Sequence, residues 1–307
     1  MAEPRYLIIA NPASRRGDGR QAAEKACDLL SSELGSEYVE LVYTEHPKHA
    51  IELTREMGPD FDAVVALGGD GTVHEVANGL MGIDAAERPA FGLIPVGSGN
   101  DYARTLGISD EVAFAIHQLL HATPQAIDVG RVNDEWFVET LSFGLDAAIA
   151  LDTVERRERT GQQGVALYLA SGIDQLLHHL DTFEFSAKLP DGRELSGPVH
   201  MFAVQIGVTY GGGFRICPTA SATDGLLDLC YADAPMSIPE ATFKFLRAKD
   251  AKHVRFKNIH FDRVSGMQLT FDRRPPCQVD GEPHIADAYD ISVERQALTV
   301  LPARILT

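Results

Sequence analysis

A run of apolar residues, Phe61–Leu67 broken only by Asp62, is followed at once by Gly68, Gly69, Asp70 and Gly71. The run reads as a buried parallel strand, and the glycines at its end let backbone N–H groups come close to a phosphate where a Cβ would stand in the way. Asp70 is placed to act on a metal-bound nucleotide, although the same glycines are equally compatible with an ordinary turn. Around this segment the chain alternates. Strand-like runs at Arg5–Ala10, Tyr38–Tyr43 and Pro89–Pro95 are separated by helical spacing of Ala22, Ala26, Leu29 and Leu30, and by Ala50–Met57. That alternation predicts an α/β domain with a parallel sheet and helices on both faces, in which ligands gather at the carboxyl ends of the strands.

After about Asp128 the pattern changes to short strands broken by turn pairs such as Asp191-Gly192: Ile127–Val132, Trp136–Leu141, His200–Ile206 and Leu226–Tyr231. Helices are few there. One runs over Val165–His179, and one starts near Ser237, where Ser237 and Glu240 have capping-box spacing. The sequence therefore predicts residues 1–127 as an α/β domain, completed by 296–307 through the strand at Ala297–Leu301, and residues 128–295 as a β-rich antiparallel sandwich with a few helices. A chain of 307 residues, 45% of them hydrophobic, is long enough for two such cores.

The formal charge of −17 argues against nucleic acid as a partner, because binding its phosphates needs a clustered positive surface. The exception to the acidic balance is the stretch holding Lys244, Arg247, Lys249, Lys252, Arg255 and Lys257 against Asp250. It reads as a solvated helix face or as a face that touches a membrane. No apolar stretch approaches the roughly 18 residues of a spanning helix, and the N-terminal residues show no signal-peptide pattern. The expected location is cytoplasmic. The four cysteines, Cys27, Cys217, Cys230 and Cys277, lack zinc-ligand spacing and read as reduced, mostly packed thiols. His46, His49 and His117 read as isolated, and His178-His179 as part of a helix end.

Two further loops fall at the same predicted sheet edge: residues 11–17 after the first strand, and Val96–Arg104, with Gly97, Ser98, Gly99, Asn100 and Asp101, after the strand ending at Pro95. The second is again a strand-to-helix anion site. At these residues the sequence resembles the diacylglycerol kinase catalytic-domain superfamily, specifically the bacterial soluble lipid kinases. The matching motifs are Asn11-Pro12, Gly68–Thr72 continuing through Glu75, Asn78 and Gly79, and Pro95–Asp101. Later come Gly211–Pro218, Ala222–Asp228 and Asp280-Gly281-Glu282. They run in the family's order from near the start of the chain to near its end. The glycine-rich core is shared with NAD kinases and, more loosely, phosphofructokinases, which implies an NAD kinase/phosphofructokinase-like first domain.

The resemblance implies ATP and Mg²⁺ as cofactors and a lipid hydroxyl, diacylglycerol-like, as acceptor. Asn11, Pro12, Ala13 and Ser14, with Thr44 at the end of the second strand, would line the ATP site. Gly68, Gly69, Asp70, Gly71, Thr72, Val73 and His74 would wrap the phosphates, together with Gly97, Ser98, Asn100 and Asp101. Ser98 stands where the family usually has threonine, and His74 where asparagine is common. Phosphoryl transfer needs a carboxylate to take the hydroxyl proton. By resemblance this is Glu282, with Asp280 as close competitor, while Asp70 and one of that pair would bind the catalytic Mg²⁺. Ser221, Asp224 and Leu226 match a turn that holds a structural Mg²⁺ in the family, and a plain Asp-Gly turn is the alternative. A lipid acceptor implies transient contact with the inner face of the membrane, and the sequence leaves a homodimer open. The rival readings are an NAD kinase-like enzyme and a nucleotide-sensing regulator without lipid kinase activity.

Overall fold

The structure is a computed structural model describing residues 3–162 and 165–306. It divides into two compact units, Met1–Asp128 with Arg295–Thr307, and Val129–Glu294. In the first unit the elements are β1 (Tyr6–Ala10), α1 (Asp18–Leu34), β2 (Val39–Tyr43), α2 (His49–Met57), β3 (Ala63–Gly68), α3 (Asp70–Met81), β4 (Ala90–Pro95), α4 (Asp101–Leu106) and α5 (Val112–Leu120). The strands lie in the order β4-β3-β1-β2, and every pair is parallel. β1 and β3 are buried on both faces, as their uninterrupted apolar sequences require. Ile8, Val65 and Leu67 pack with Ala23, Ala26 and Leu30 of α1 and Ile116 and Leu119 of α5. Leu7, Ile9 and Val64 point the other way and are also fully buried; α2 packs on β1 and α3 on β3.

The second unit is antiparallel. β5 (Gln125–Val132) leads into it and β15 (Ala288–Val300) leads out, each crossing the division. Between them lie β6 (Glu135–Phe137), β7 (Thr140–Gly144), α6 (Leu145–Thr160), α7 (Val165–His178), β8 (Phe183–Lys188), β9 (Glu194–Gln205), β10 (Leu227–Asp233), α8 (Ile238–Ala248), β11 (Ile259–Val264), β12 (Gly266–Phe271), β13 (Cys277–Val279) and β14 (Glu282–Pro283). β9 pairs with β7, β8 and β10, and β8 with β12, all antiparallel. The core is aromatic: Phe143 meets Tyr289 edge-on with ring centres 4.6 Å apart, and Phe185 lies 5.0 Å from Phe202. Asp191-Gly192 forms the β8–β9 hairpin turn. Cys217, Cys230 and Cys277 are buried, and all four cysteines are free.

Two expectations fail here. Trp136–Leu141 is not one strand but is broken between β6 and β7. The N–H groups of Val138, Glu139 and Thr140 turn toward the Asp280 carboxylate, so the chain cannot continue a regular ladder there. Helix α6 was not expected. Its C-terminal half is densely charged, and its start depends on Gly144 at φ +75°, where a Cβ would sit 2.4 Å from the His200 carbonyl oxygen.

The chain end returns to the first unit, with Val300 pairing in parallel with Phe91. Arg88 fixes this return. Its guanidinium donates to the Leu80 carbonyl (2.8 Å) and the Ile83 carbonyl (2.9 Å) at the end of α3, and to the carbonyl of Ala297. Among the described residues no helix is long and apolar enough to cross a membrane.

Candidate active site

The loops singled out from the sequence all follow the carboxyl ends of β1, β2, β3 and β4, and parallel pairing brings those ends side by side. After β1, Asn11 folds the chain back on itself: its Oδ1 accepts from the Ala13 N–H at 2.9 Å and its carbonyl from the Ser14 N–H at 3.2 Å. Pro12 and Ala13 form the tip of this turn, and Ser14 opens a short 3₁₀ segment. Thr44 continues β2, its N–H bonding the Ala10 carbonyl.

The glycines of the other two loops are spaced for contact with each other. A Cβ on Gly97 would lie 2.5 Å from the Gly69 Cα, and one on Gly68 would lie 2.4 Å from Thr72 Oγ1. Backbone therefore meets backbone between the β3 loop and the β4 loop, just where α3 begins with its unpaired N–H groups. Asn100 closes the second loop in a left-handed conformation, φ +53°. Its Oδ1 accepts from the Gly97 N–H (2.9 Å), and its amide donates to Asp110 (2.7 Å).

Asp70 ties the loops together. Its Oδ2 accepts the Asn100 N–H and its Oδ1 the Asp101 N–H, both at 2.9 Å. Burial first, and then the neighbouring Asp101 carboxylate, raise Asp70 to about 6. The N–H groups of Asp101, Asn100 and Tyr102 pull the other way. Asp101 itself is paired with Arg104 at 2.8 Å. Two carboxylates held this close form a hard-oxygen donor set whose repulsion a divalent cation would relieve, so the residues present fit Mg²⁺.

The predicted nucleotide residues separate into two groups. Asn11, Ser14, Thr44, Gly69, Asp70, Gly71, Gly97 and Ser98 keep partly exposed surface at the loop tips, whereas Thr72, Val73, His74, Asn100 and Asp101 are buried beneath them. His74 is packed against Asn78, whose amide donates to the His74 carbonyl at 3.0 Å. The asparagine expected at position 74 is thus represented by a histidine that supports α3 from within.

In the second unit, Asp280 and Gly281 are the two central residues of the β13–β14 hairpin, with φ +48° and +95°. This is the conformation that favours Asp-Gly in tight hairpins. Asp280 Oδ1 accepts from Glu139 N (3.0 Å) and Thr140 N (2.9 Å), and Oδ2 from Val138 N (2.9 Å). Gln278 holds the same hairpin from beneath, accepting the Gly281 N–H at 2.6 Å and donating to the Ser142 hydroxyl at 2.7 Å. Glu282, two residues on, is exposed, and among the described residues no hydrogen bond or ion pair engages its carboxylate. The two competing carboxylates are therefore unlike: one is spent on backbone, the other faces solvent.

The turn at Ser221, Asp224 and Leu226 does not present an open cation site. Asp224 Oδ1 accepts the Leu226 N–H at 3.0 Å, its Oδ2 pairs with the Arg263 guanidinium, and the Ser221 hydroxyl bonds within the turn to Thr223. In this structure the Arg263 guanidinium supplies the positive charge beside Asp224, as in a plain Asp-Gly turn. The histidines also differ from expectation: His46 stacks on His49 at 4.4 Å, and the His117 ring lies tilted against that of His121 with centres 4.3 Å apart. His46, His49 and Glu52 form a three-donor group, but His49 Nδ1 is occupied by the Glu45 N–H.

Sequence reasoning missed three supporting residues. Glu75 caps α2 through the N–H groups of Lys48 (2.9 Å) and Ala50 (3.1 Å). Asp146, at the start of α6, is buried; desolvation raises it to about 6 against the hydroxyls of Tyr210 and Ser142. Gln278 is the third. Each acts on a partner far away in sequence, and for Gln278 no local signal exists.

Comparison with known proteins gives a consistent picture. Residues 5–132 match the model of the diacylglycerol kinase catalytic domain. Residues 139–302 match that of the YegS C-terminal NAD kinase beta sandwich-like domain. The chain is 30% identical over 220 residues to "Probable lipid kinase YegS-like" of Chromohalobacter salexigens, covering 72% of this chain and 69% of that one. It is 30% identical over 229 residues to "Diacylglycerol kinase" of Bacillus subtilis, covering 73% and 72%. In fold it is similar to a crystal structure of a diacylglycerol kinase from Bacillus anthracis, with a TM-score of 0.81, 22% identity and 97% of both chains covered.

Proposed function

The chain belongs to the diacylglycerol kinase family of lipid kinases, and we propose that it transfers the γ-phosphoryl group of ATP, with Mg²⁺, to the hydroxyl of a diacylglycerol-like lipid. The observation that carries this reading is the contact of Gly69 with Gly97, braced by Asp70, at the start of α3. It is a backbone cradle suited to phosphate oxygens. Asn11, Ser14, Thr44 and Ser98 line the nucleotide side of the loops. Where Mg²⁺ is bound it neutralises phosphate charge; Asp70 would hold it, with Asp101 behind.

Glu282 accepts the hydroxyl proton in this reading, because its carboxylate is the uncommitted one, and Asp280 acts as its positioning residue. With the carboxylates of Asp70 and Glu282 in place, the residues favour catalysis over nucleotide sensing alone.

The test is incubation with labelled ATP, Mg²⁺ and a total lipid extract, with NAD as a parallel acceptor. A labelled lipid, identified after extraction, is the expected product. Label on NAD would assign the chain to the NAD kinase-like alternative, and nucleotide binding without any labelled acceptor would make it a regulator.

A further inference from the structure

The basic stretch near residue 250 is not one solvated helix face. Lys244 is buried, with Nζ bonded to Glu240 Oε1 at 2.5 Å and to Asn258 Oδ1. Ala241 and Ala248 share this inner face, and Phe245 stacks on Phe214 at 5.2 Å. Helix α8 then gives way to a 3₁₀ turn, Lys252–Arg255, pinned by His253 Nε2 on the Ile216 carbonyl at 2.8 Å.

Helical spacing sends Phe243, Leu246 and Arg247 outward, and Val254 emerges from the turn. Phe243 and Leu246 are each 49% exposed and Val254 is 44% exposed. Apolar side chains this open cost free energy in water, and three of them on α8 and the turn that follows it make a surface suited to burial. The cations Arg247, Lys249, Lys252, Arg255 and Lys257 are exposed among them. The acid of the stretch, Asp250, is paired with Lys252 at 2.9 Å. In a chain of net charge −17 this is a local reversal of sign joined to exposed apolar tips.

We propose that α8 and the turn after it form the element by which this protein docks on an anionic lipid bilayer. Leu246, Phe243 and Val254 enter the interfacial layer, and the surrounding cations meet lipid phosphates. Charge complementarity selects the occupant: an acidic protein or a neutral bilayer would use one half of the face, and an anionic membrane uses both. The inference rests on the lipid acceptor proposed above, since a lipid substrate is met at a surface.

Co-sedimentation with vesicles of phosphatidylcholine, alone or with about one third phosphatidylglycerol, tests it without reference to catalysis. Wild type is expected to bind the anionic vesicles and to release in high salt. Lys249→Glu/Lys252→Glu/Arg255→Glu and, separately, Leu246→Ser/Val254→Ser are each expected to weaken binding at least tenfold. Unchanged thermal unfolding would show the fold intact. Activity on a short-chain, water-dispersed lipid should stay at the wild-type level in both variants, with loss confined to vesicle substrate.

Variants that bind anionic vesicles like wild type overturn the docking element even if lipid is phosphorylated. Vesicle binding that the substitutions abolish, in a protein that phosphorylates no lipid, supports docking and overturns the function instead. A dimer dissolved by the same substitutions, with no vesicle binding, assigns the face to a second copy and overturns the proposal.

Discussion

Replacing Asp280 by asparagine and, separately, Glu282 by glutamine should separate two carboxylates that stand two residues apart on one hairpin. Asp280 accepts three backbone N–H groups, two on Oδ1 and one on Oδ2. An asparagine in the same place keeps the acceptor for Glu139 and Thr140 and presents its own N–H₂ to the Val138 N–H. Flipping the amide only exchanges one lost bond for two. One charge-assisted bond, worth about 1.5–3 kcal/mol, is removed and a donor is left facing a donor. The expected loss is about 2–3 kcal/mol, or roughly 5–10 °C in Tm for a unit of this size. Asparagine tolerates the φ of +48°, so backbone strain adds little. Alanine would lose all three bonds and the tolerance, costing about 4 kcal/mol or more.

Glu282→Gln changes an exposed side chain, and stability should stay within about 0.5 kcal/mol of wild type. Turnover should fall by roughly 10²–10⁴-fold, the usual contribution of a general base. Thermal unfolding and initial rates of lipid phosphorylation measure the two quantities on the same preparations. An inactive Asp280→Asn of unchanged Tm, beside an active Glu282→Gln, would reverse the assignment and refute the reasoning.

Two further outcomes follow from the same contacts. Gly97→Ala places a Cβ 2.5 Å from the Gly69 Cα, too close for either loop to keep its path. Overpacking costs about 1–3 kcal/mol, and ATP affinity by calorimetry should drop at least tenfold; wild-type affinity would remove the glycine contact from the nucleotide site. Asp146 gives a pH signature. Its folded value of about 6 lies above the ordinary carboxylate value of 3.8, so between these the folded chain holds a proton the unfolded chain has released. Stability from this group is therefore greatest below about pH 4 and falls until about pH 6, by about 3 kcal/mol. Asp146→Asn should flatten that part of the stability–pH curve, as read by urea unfolding across pH 4–7, and an unchanged slope would count against the burial argument.

The loops were legible because their chemistry is local. Backbone that must approach backbone or phosphate needs glycine at fixed offsets from a strand end, and Gly69 and Gly97 show that need directly. The β8–β9 turn and the Ser237 cap were legible for the same reason: one residue's side chain or φ decides them. What the chain order hid depends on partners far off. Lys244 reads as a surface charge until Asn258 and Phe256, from beyond the end of its helix, are seen around it. The break between β6 and β7 is made by Asp280, about 140 residues later, and Arg88 binds a carbonyl about 200 residues away.

Four of the five aspartates that precede glycine share a physical role that their prominence in the sequence disguises; the fifth, Asp18, opens α1. Asp70, Asp191, Asp224 and Asp280 all turn a carboxylate oxygen to backbone N–H groups. A tight glycine turn exposes N–H groups with no ladder partner, and a carboxylate beside the turn is the nearest acceptor. Such an aspartate shapes the loop, and its lone pairs are then partly spent. Chemistry requiring an uncommitted carboxylate falls to a neighbour outside the turn. At the β13–β14 hairpin that neighbour is Glu282, and at the start of α3 no such neighbour replaces Asp70. In the proposed reaction the demand there is correspondingly different: Asp70 would only orient loops and face a cation, which a hydrogen-bonded carboxylate does well, whereas a proton acceptor must have a lone pair to give.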